Sequence, residues 1–464
     1  MSAPVPGPRR RYPGHFALAL RRDTIGVLTR VHREYGDVAR IPLGVRSLYL
    51  LAHPDHARDV LVTHQRNFKK GRALEQARLL LGNGLLTSEG DVHLRQRRLM
   101  QPAFHRQRIA GYGATMVRFA QRRATSWHEG ATLDIHAEMM GLTMAIVGKT
   151  LFDADVEDES RELGDALTAS FDAFRTMFFV PYGEWLEKIP LPMTRRFIAG
   201  RKRLEDTIYR IIGERRASGV DTGDLLSMLL AARDEEGDGG GMSDTQIRDE
   251  AMTLFLAGYE TTANALSWTF YLLAQHPDVE SRMHEEVDAL GDDELGAESL
   301  QHLPYTRMVL SESMRLYPPA YAIGRRALGD YAVGEFHIPA NSIVILAPYI
   351  TQRDARWFSE PERFEPDRWL PERVAERPKF SYFPFGAGPR ICIGEPFAWM
   401  EGVLLLAAIS RRWRLRLLSN EPVQPQALIT LRPRGGITMR VEARRPPRSA
   451  SDLRPPTSDL ALRG

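Results

Sequence analysis

Phe385-Gly386-Ala387-Gly388-Pro389-Arg390-Ile391-Cys392-Ile393-Gly394 contains the only cysteine of this 464-residue chain. A lone cysteine cannot close an internal disulfide, and most lone intracellular cysteines are inert packing residues. The surroundings of Cys392 argue for chemistry instead. Gly386, Gly388 and Gly394 let the backbone turn tightly around the sulfur and aim N–H groups at it, as a thiolate needs if it is to persist away from water. Phe385 can cover the sulfur, and Arg390 adds a cation two residues upstream. An anionic sulfur held this way suits a soft or polarizable metal centre.

Working outward, Gly237-Asp238-Gly239-Gly240-Gly241 reads as a flexible connector, and Ser243-x-x-Gln246 after it has the form of a capping box. Apolar and small residues continue at helical spacing to about Ala274, with His276-Pro277 as the stop. A helix of roughly thirty residues spans about 45 Å. Within it lies Ala257-Gly258-Tyr259-Glu260-Thr261-Thr262. A helical glycine costs about 1 kcal/mol relative to alanine, and close helix packing is one explanation for it. The other is local space: Ala257 and Gly258 permit a widened hydrogen-bond ladder beside which small molecules fit, with Glu260 and Thr261 offering a carboxylate and a hydroxyl for proton delivery. Thr262 reads as a packing or back-bonding neighbour. His93 and Arg97 share a helical face at i, i+4, and Glu312 and Arg315 stand at i, i+3 on a helix from Pro304 to Tyr317.

Taken together these strings resemble the cytochrome P-450 family. The order F-x-x-G-x-R-x-C-x-G resembles its haem-ligand loop, in which a cysteine thiolate binds iron. Residues 257–261 resemble its A-G-x-[D/E]-T oxygen-activation motif, and His93 with Arg97 resemble the H-x-x-x-R form of its propionate-binding helix. The resemblance implies haem b as cofactor, with Cys392 as the metal ligand, Glu260 and Thr261 as catalytic residues, and Ala257, Gly258, Phe385 and Gly394 against the haem. It assigns the two propionates to cations and forked donors: His93, Arg97, Arg325 and Arg390. Arg325 ranks above Arg326 because an acid, Asp330, follows it at a spacing of five, and neighbouring residues in an extended chain point to opposite sides. Phe364-Glu365-Pro366-Asp367-Arg368-Trp369 resembles the segment whose arginine joins the Glu312–Arg315 pair. There Trp369 replaces the usual phenylalanine, a departure expected to affect packing alone.

The implied fold class is mainly α with a smaller β region (α+β), a single haem domain at 25–443 with the haem between the long helix and the Cys392 loop. A Pro/Arg-rich segment at 1–24 precedes it, and an Arg/Pro-rich tail, expected to be disordered, follows at 444–464. Strands are expected at Val38–Leu43, Ser47–Ala52 and Ile343–Leu346, and as a pair within Leu428–Val441 turned at Arg434-Gly435-Gly436. Lys+Arg 62 against Asp+Glu 59 gives a net charge of +3, too balanced for a nucleic-acid footprint. The N-terminus is too rich in proline and charge for a signal peptide or membrane anchor, so a cytoplasmic protein is expected; a monomer is expected as well.

The activity implied is oxygen-dependent hydroxylation or epoxidation of a hydrophobic small molecule, whether terpenoid, fatty acid, steroid or polyketide. Pocket walls are expected from Leu79–Leu86, Phe171–Val180, Thr253, Leu254, Ala257, Ala320–Ile323 and Ala427–Ile429. No flavin or nicotinamide fingerprint is legible, so electrons are expected from a separate ferredoxin or flavodoxin with its reductase. Arg95, Arg98, Lys379 and Arg390 are expected to present it a cationic surface. A haem-thiolate peroxygenase or isomerase, and a non-catalytic haem sensor, are the alternatives. The Glu260–Thr261 pair speaks against both.

Overall fold

The segment after the glycine connector forms the helix Asp244–Gln275, the spine of the molecule. Ser243 accepts a hydrogen bond from the Gln246 N–H, and the Gln246 side chain accepts one from the Ser243 N–H, closing the capping box. His276 ends the helix and Pro277 opens the next one, Pro277–Asp288. Nearly every position from Ile247 to Leu273 is buried, the pattern of a helix enclosed by protein on all sides. At 32 residues it is about 48 Å long. The computed structural model that shows this describes residues 3–44, 46–153, 191–234, 237, 239–291 and 293–444.

Helix Ile135–Phe152 packs along the spine. A Cβ on Gly258 would stand 3.0 Å from Val147 Cγ2, so the glycine permits this close crossing. The spine is α-helical throughout, and the expected widening of its ladder is not formed. On another side pack Pro304–Leu316 and Glu395–Ser410, the latter leaving the cysteine loop and turning apolar from Val403 to Ile409. Among the described residues, no helix is long and apolar enough to cross a membrane.

The sheets lie to the side of this bundle. One has the strand order Val38–Leu43, Arg46–Leu51, Ile343–Leu346, Ile323–Ala327, Phe68–Lys70, with a single parallel pair between Arg46–Leu51 and Ile343–Leu346. Its register puts Lys70 directly opposite Arg325. Directly paired residues share a face, so two cations sit side by side.

The C-terminal strands depart from the expected hairpin. Leu431–Pro433 pairs with Pro425–Ala427, and Thr438–Ala443 pairs with Thr132–Asp134 and Trp413–Leu417. Gly435 and Gly436 both have positive φ, 78° and 80°, and carry the chain from one sheet to another rather than folding it back on itself. The reason is a contact from elsewhere: a Cβ on Gly436 would lie 2.2 Å from the Asp134 carboxylate, which accepts the Ile437 N–H at 3.0 Å.

The buried Glu312 gathers its neighbours as the family resemblance implies. Arg315 donates to both its oxygens at 2.8 Å, and Arg368 Nε lies 3.2 Å from Oε1. Trp369 is more than packing, since its Nε1 donates to Glu312 Oε2 at 3.0 Å. Arg315 also donates to the carbonyls of Gln352, Pro361 and Arg363, which fixes the irregular chain leading toward the cysteine.

Candidate active site

The cysteine loop is closed by its own backbone. Cys392 N–H donates to Phe385 O at 2.9 Å, and Gly386 N–H to Phe383 O at 3.0 Å. Gly386 and Gly388 hold φ of 71° and 68°, and at Gly388 the chain runs so near Leu61 that a Cβ would sit 2.1 Å from its carbonyl oxygen. Only glycine fits there. Phe385 lies against Trp399, ring centroids 5.6 Å apart.

Cys392 keeps accessible surface although protein atoms crowd around its sulfur. Burial pushes its thiol up to about 11, against the pull of the Gly394 and Glu395 N–H groups and the Arg97 charge. The donors for a thiolate are thus in place, and a metal cation held at the sulfur would supply the remaining stabilisation.

Beside the loop lies a layer of cations. Arg97, from the helix Gly90–Met100, donates to Ile391 O at 2.7 Å and so ties that helix to the residue before the cysteine. His93 on the same helix is buried, and burial with the charges of Lys70, Arg390, Arg97 and Arg325 pushes its pKa down to about 3. Its imidazole is therefore neutral. Arg325 is pushed down to about 10 by burial and by Arg390. Arg326, one residue on, turns away and pairs with Glu75 at 2.6 Å.

Lys70 is a member of this layer that spacing did not reveal. Burial, then Arg390, with a smaller push from Arg325, bring its pKa down to about 7. Its only sequence signal is its place in Phe68-Lys69-Lys70, and its meaning appears only with the register against Arg325. Among the described residues Glu89 is the acid paired within the layer: it accepts the Lys70 N–H at 2.5 Å and bonds Arg390. Arg390 Nη1 is buried with no partner. Burial first, then neighbouring cations, depress Lys70, His93 and Arg325, and with an orphaned guanidinium nitrogen beside them the site is short of negative charge.

The spine contributes an opening. Ala257 is exposed, and Gly258 and Thr261 are partly so, while Phe255, Leu256, Tyr259, Glu260 and Thr262 around them are buried. Thr261 Oγ1 donates to Ala257 O at 2.7 Å, leaving its lone pairs to accept from water. Glu260 points elsewhere: its buried carboxylate takes Arg432 Nε at 2.7 Å and the Thr430 hydroxyl, both from the hairpin Pro425–Pro433. Asn264 completes the group by donating to Thr430 Oγ1 at 3.0 Å.

Other expected walls are placed as follows. Leu80, Leu81 and Leu85 are buried and Leu86 is exposed; Thr253 and Leu254 are buried; Ala320–Ile323 are partly exposed and Ile429 is exposed. Tyr321 OH donates to Leu428 O at 2.9 Å, holding two of these walls together. Phe171–Val180 lies outside the described residues. The expected cationic surface is thinner than its sequence suggests. Arg98 forks onto Asp234 at 2.9 and 3.0 Å and Arg95 Nε lies 3.2 Å from the same carboxylate, while Arg390 is paired with Glu89. Lys379 remains exposed.

The family model for cytochrome P450 matches residues 4–439. The chain belongs to the cytochrome P450 family. It is 40% identical over 421 residues to cyclooctatin synthase of Streptomyces melanosporofaciens, covering 90% of this chain and 91% of that one. It is 38% identical over 405 residues to cyclooctat-9-en-7-ol 5-monooxygenase of the same organism, covering 87% of each. Among solved structures, the haem domain of cytochrome P450DA superposes with a TM-score of 0.88 at 27% identity, covering 96% of this chain and 99% of that one.

The residues of this P450 fit its cofactor. Haem would bring two carboxylates to a layer in which cations outnumber the acid Glu89, and a metal to a sulfur already facing N–H donors. The chain is an oxidoreductase of the monooxygenase type, and its family implies O2, a redox partner and a hydrophobic substrate.

Proposed function

We propose that this P450 hydroxylates or epoxidises a terpenoid, receiving electrons from a separate ferredoxin or flavodoxin with its reductase. The observation that carries the reading is the opening at Ala257, Gly258 and Thr261 in an otherwise buried helix, beside apolar walls. Relatives named cyclooctatin synthase and cyclooctat-9-en-7-ol 5-monooxygenase support a terpenoid over a fatty acid. The balance of the reaction is one oxygen atom inserted into the substrate and one released as water, with a pair of electrons and a pair of protons consumed. Bound haem supplies the iron at which oxygen is reduced.

The chain's own residues do the rest in this proposal. Cys392 ligates the metal, and His93, Arg97, Arg325 and Arg390, joined by Lys70, anchor the propionates. Phe385 and Gly394 would pack around the sulfur and the cofactor it holds, and Ala257 and Gly258 would leave room beside the cofactor for small molecules. Thr261 holds the water that delivers protons. Glu260 is the acid behind it, tethered to Arg432 and Thr430 rather than lying in the opening.

The test is Thr261→Ala in a system reconstituted with ferredoxin and reductase, on a panel of terpene hydrocarbons and alcohols. Alanine removes the hydroxyl without weakening the helix. The variant is expected to bind substrate and consume NAD(P)H while releasing more hydrogen peroxide and less product. An unchanged ratio of product to NAD(P)H would make Thr261 a packing residue and favour the peroxygenase or isomerase alternatives.

A further inference from the structure

The loop Gly82-Asn83-Gly84-Leu85 runs between the spine and the cation layer, and its backbone is held from both sides. On the spine side, Asn83 N–H donates to Asp249 Oδ2 at 2.7 Å and Leu85 N–H to Glu250 Oε2 at 2.8 Å. Across the loop, Gln96 Nε2 donates to Asn83 O at 2.7 Å and Lys70 Nζ to Leu85 O at 2.7 Å. Gln96 belongs to the helix of His93 and Arg97, and Lys70 to the strand beside Arg325. The same two loop residues are thus gripped by acids at their N–H groups and by the cation layer at their carbonyls.

The rest of the loop is similarly satisfied. Thr87 Oγ1 donates to Gly82 O, the Thr87 and Ser88 N–H groups to Gly84 O, and Lys70 Nζ to Ser88 O. Both glycines are there for contact with the spine. A Cβ on Gly82 would lie 2.1 Å from Asp249 Oδ1, and one on Gly84 2.4 Å from Thr253 Oγ1. Buried loop backbone needs partners for its polar groups, and here the spine supplies them from two successive acids.

We propose that Asp249 and Glu250 are positioning residues that hold residues 82–88 as a rigid tie between the spine and the cation layer, and so set how large a molecule the Leu85–Leu86 wall admits. The second half of this statement rests on the reading of Leu79–Leu86 as a pocket wall; the first rests on the bonds alone. Charged groups around the acids agree with it. Arg248 lies 3.1 Å from Asp249 Oδ1 and bonds Glu205, and Lys70 approaches Glu250 from the far side of the loop. Burial and Asp249 push Glu250 up to about 8, so a neutral amide is a fair mimic of it at neutral pH.

The experiment compares the haem-loaded protein with Asp249→Ala/Glu250→Ala and with Glu250→Gln by hydrogen exchange. It then compares their affinities for imidazole and for a bulky phenyl-substituted imidazole, read as shifts of the haem absorption band. Removing the acceptors is expected to speed exchange across residues 83–88 by about tenfold or more, with protection of Val403–Ile409 retained. The ratio of bulky to small imidazole affinity should change with it. Glu250→Gln, which keeps an acceptor, should stay near the parent on both readouts. If the double variant does not fold, Asp249→Ala and Glu250→Ala singly carry the comparison. Unchanged exchange in 83–88, or loss of protection throughout the chain in every alanine variant, would overturn the proposal. Neither imidazole is a substrate, so this outcome and that of the terpenoid test are separate.

Discussion

Glu260 shows how a motif position acquires a partner that its motif does not encode. Arg432 lies 172 residues away along the chain, and nothing in the spacing of Ala257–Thr262 announces it. The pair is buried on both sides, at 9% and 3% exposure, so removing Glu260 takes from Arg432 a carboxylate that water does not replace. Glu260→Ala should therefore destabilise the fold by about 1 kcal/mol or more, whereas Glu260→Gln, which still offers Arg432 an oxygen, should cost less. Denaturant unfolding decides this, and equal stability of both variants with the parent would contradict it. The Glu312, Arg315 and Arg368 cluster was legible because each member belongs to a short string of fixed spacing, the same kind of signal on which the roles proposed for Cys392 and Thr261 rest. Lys70, Asp249 and Arg432 were not, because each gains its role from a contact more than a hundred residues distant or from a strand register. Arg95 and Arg98 looked like surface charges for a similar reason. Their acid, Asp234, lies beyond the reach of any local pattern.

At the scale of elements, the spine was readable from its ends inward, since a capping box and a His-Pro stop are local signals. Its middle was ambiguous in sequence between open space and close packing. The structure has both: Ala257 is exposed while Gly258 meets Val147. Alanine at 258 gains about 1 kcal/mol of helix propensity, but overpacking of a tight contact costs about 1–3 kcal/mol. Gly258→Ala should therefore be destabilising in the parent and less so in a Val147→Ala background. A double-mutant cycle on unfolding free energies measures this coupling, and strict additivity would contradict the contact. The C-terminal strands were misread because two glycines after an apolar run look like a hairpin turn. The decisive partner, Asp134, lies about three hundred residues upstream.

Across the whole molecule, the fold class followed from the resemblance, but strand order and the single parallel pair did not, since long-range pairing leaves little trace in one sequence. Burial of ionisable groups gives the molecule a pH dependence that no motif records. Glu401, fully buried on the helix leaving the cysteine loop, is pushed from 4.5 up to about 8 by burial, partly offset by the Thr262 hydroxyl. Between these values the folded chain keeps a proton that the unfolded chain releases, so stability falls as pH rises through this window. Glu401→Gln should flatten that fall. Thermal midpoints from pH 5 to 8 test it, and parallel slopes for the two proteins would contradict it.

The central claim is that the chain binds haem through Cys392. The most direct measurement is the reduced carbon-monoxide difference spectrum of the purified protein and of Cys392→Ser, alongside haem content. The parent is predicted to bind haem and show the red-shifted absorption band of thiolate ligation, and the serine variant to lose that band whether or not it retains haem. A thiolate band that survives in Cys392→Ser, or a folded parent protein that takes up no haem, would contradict the account.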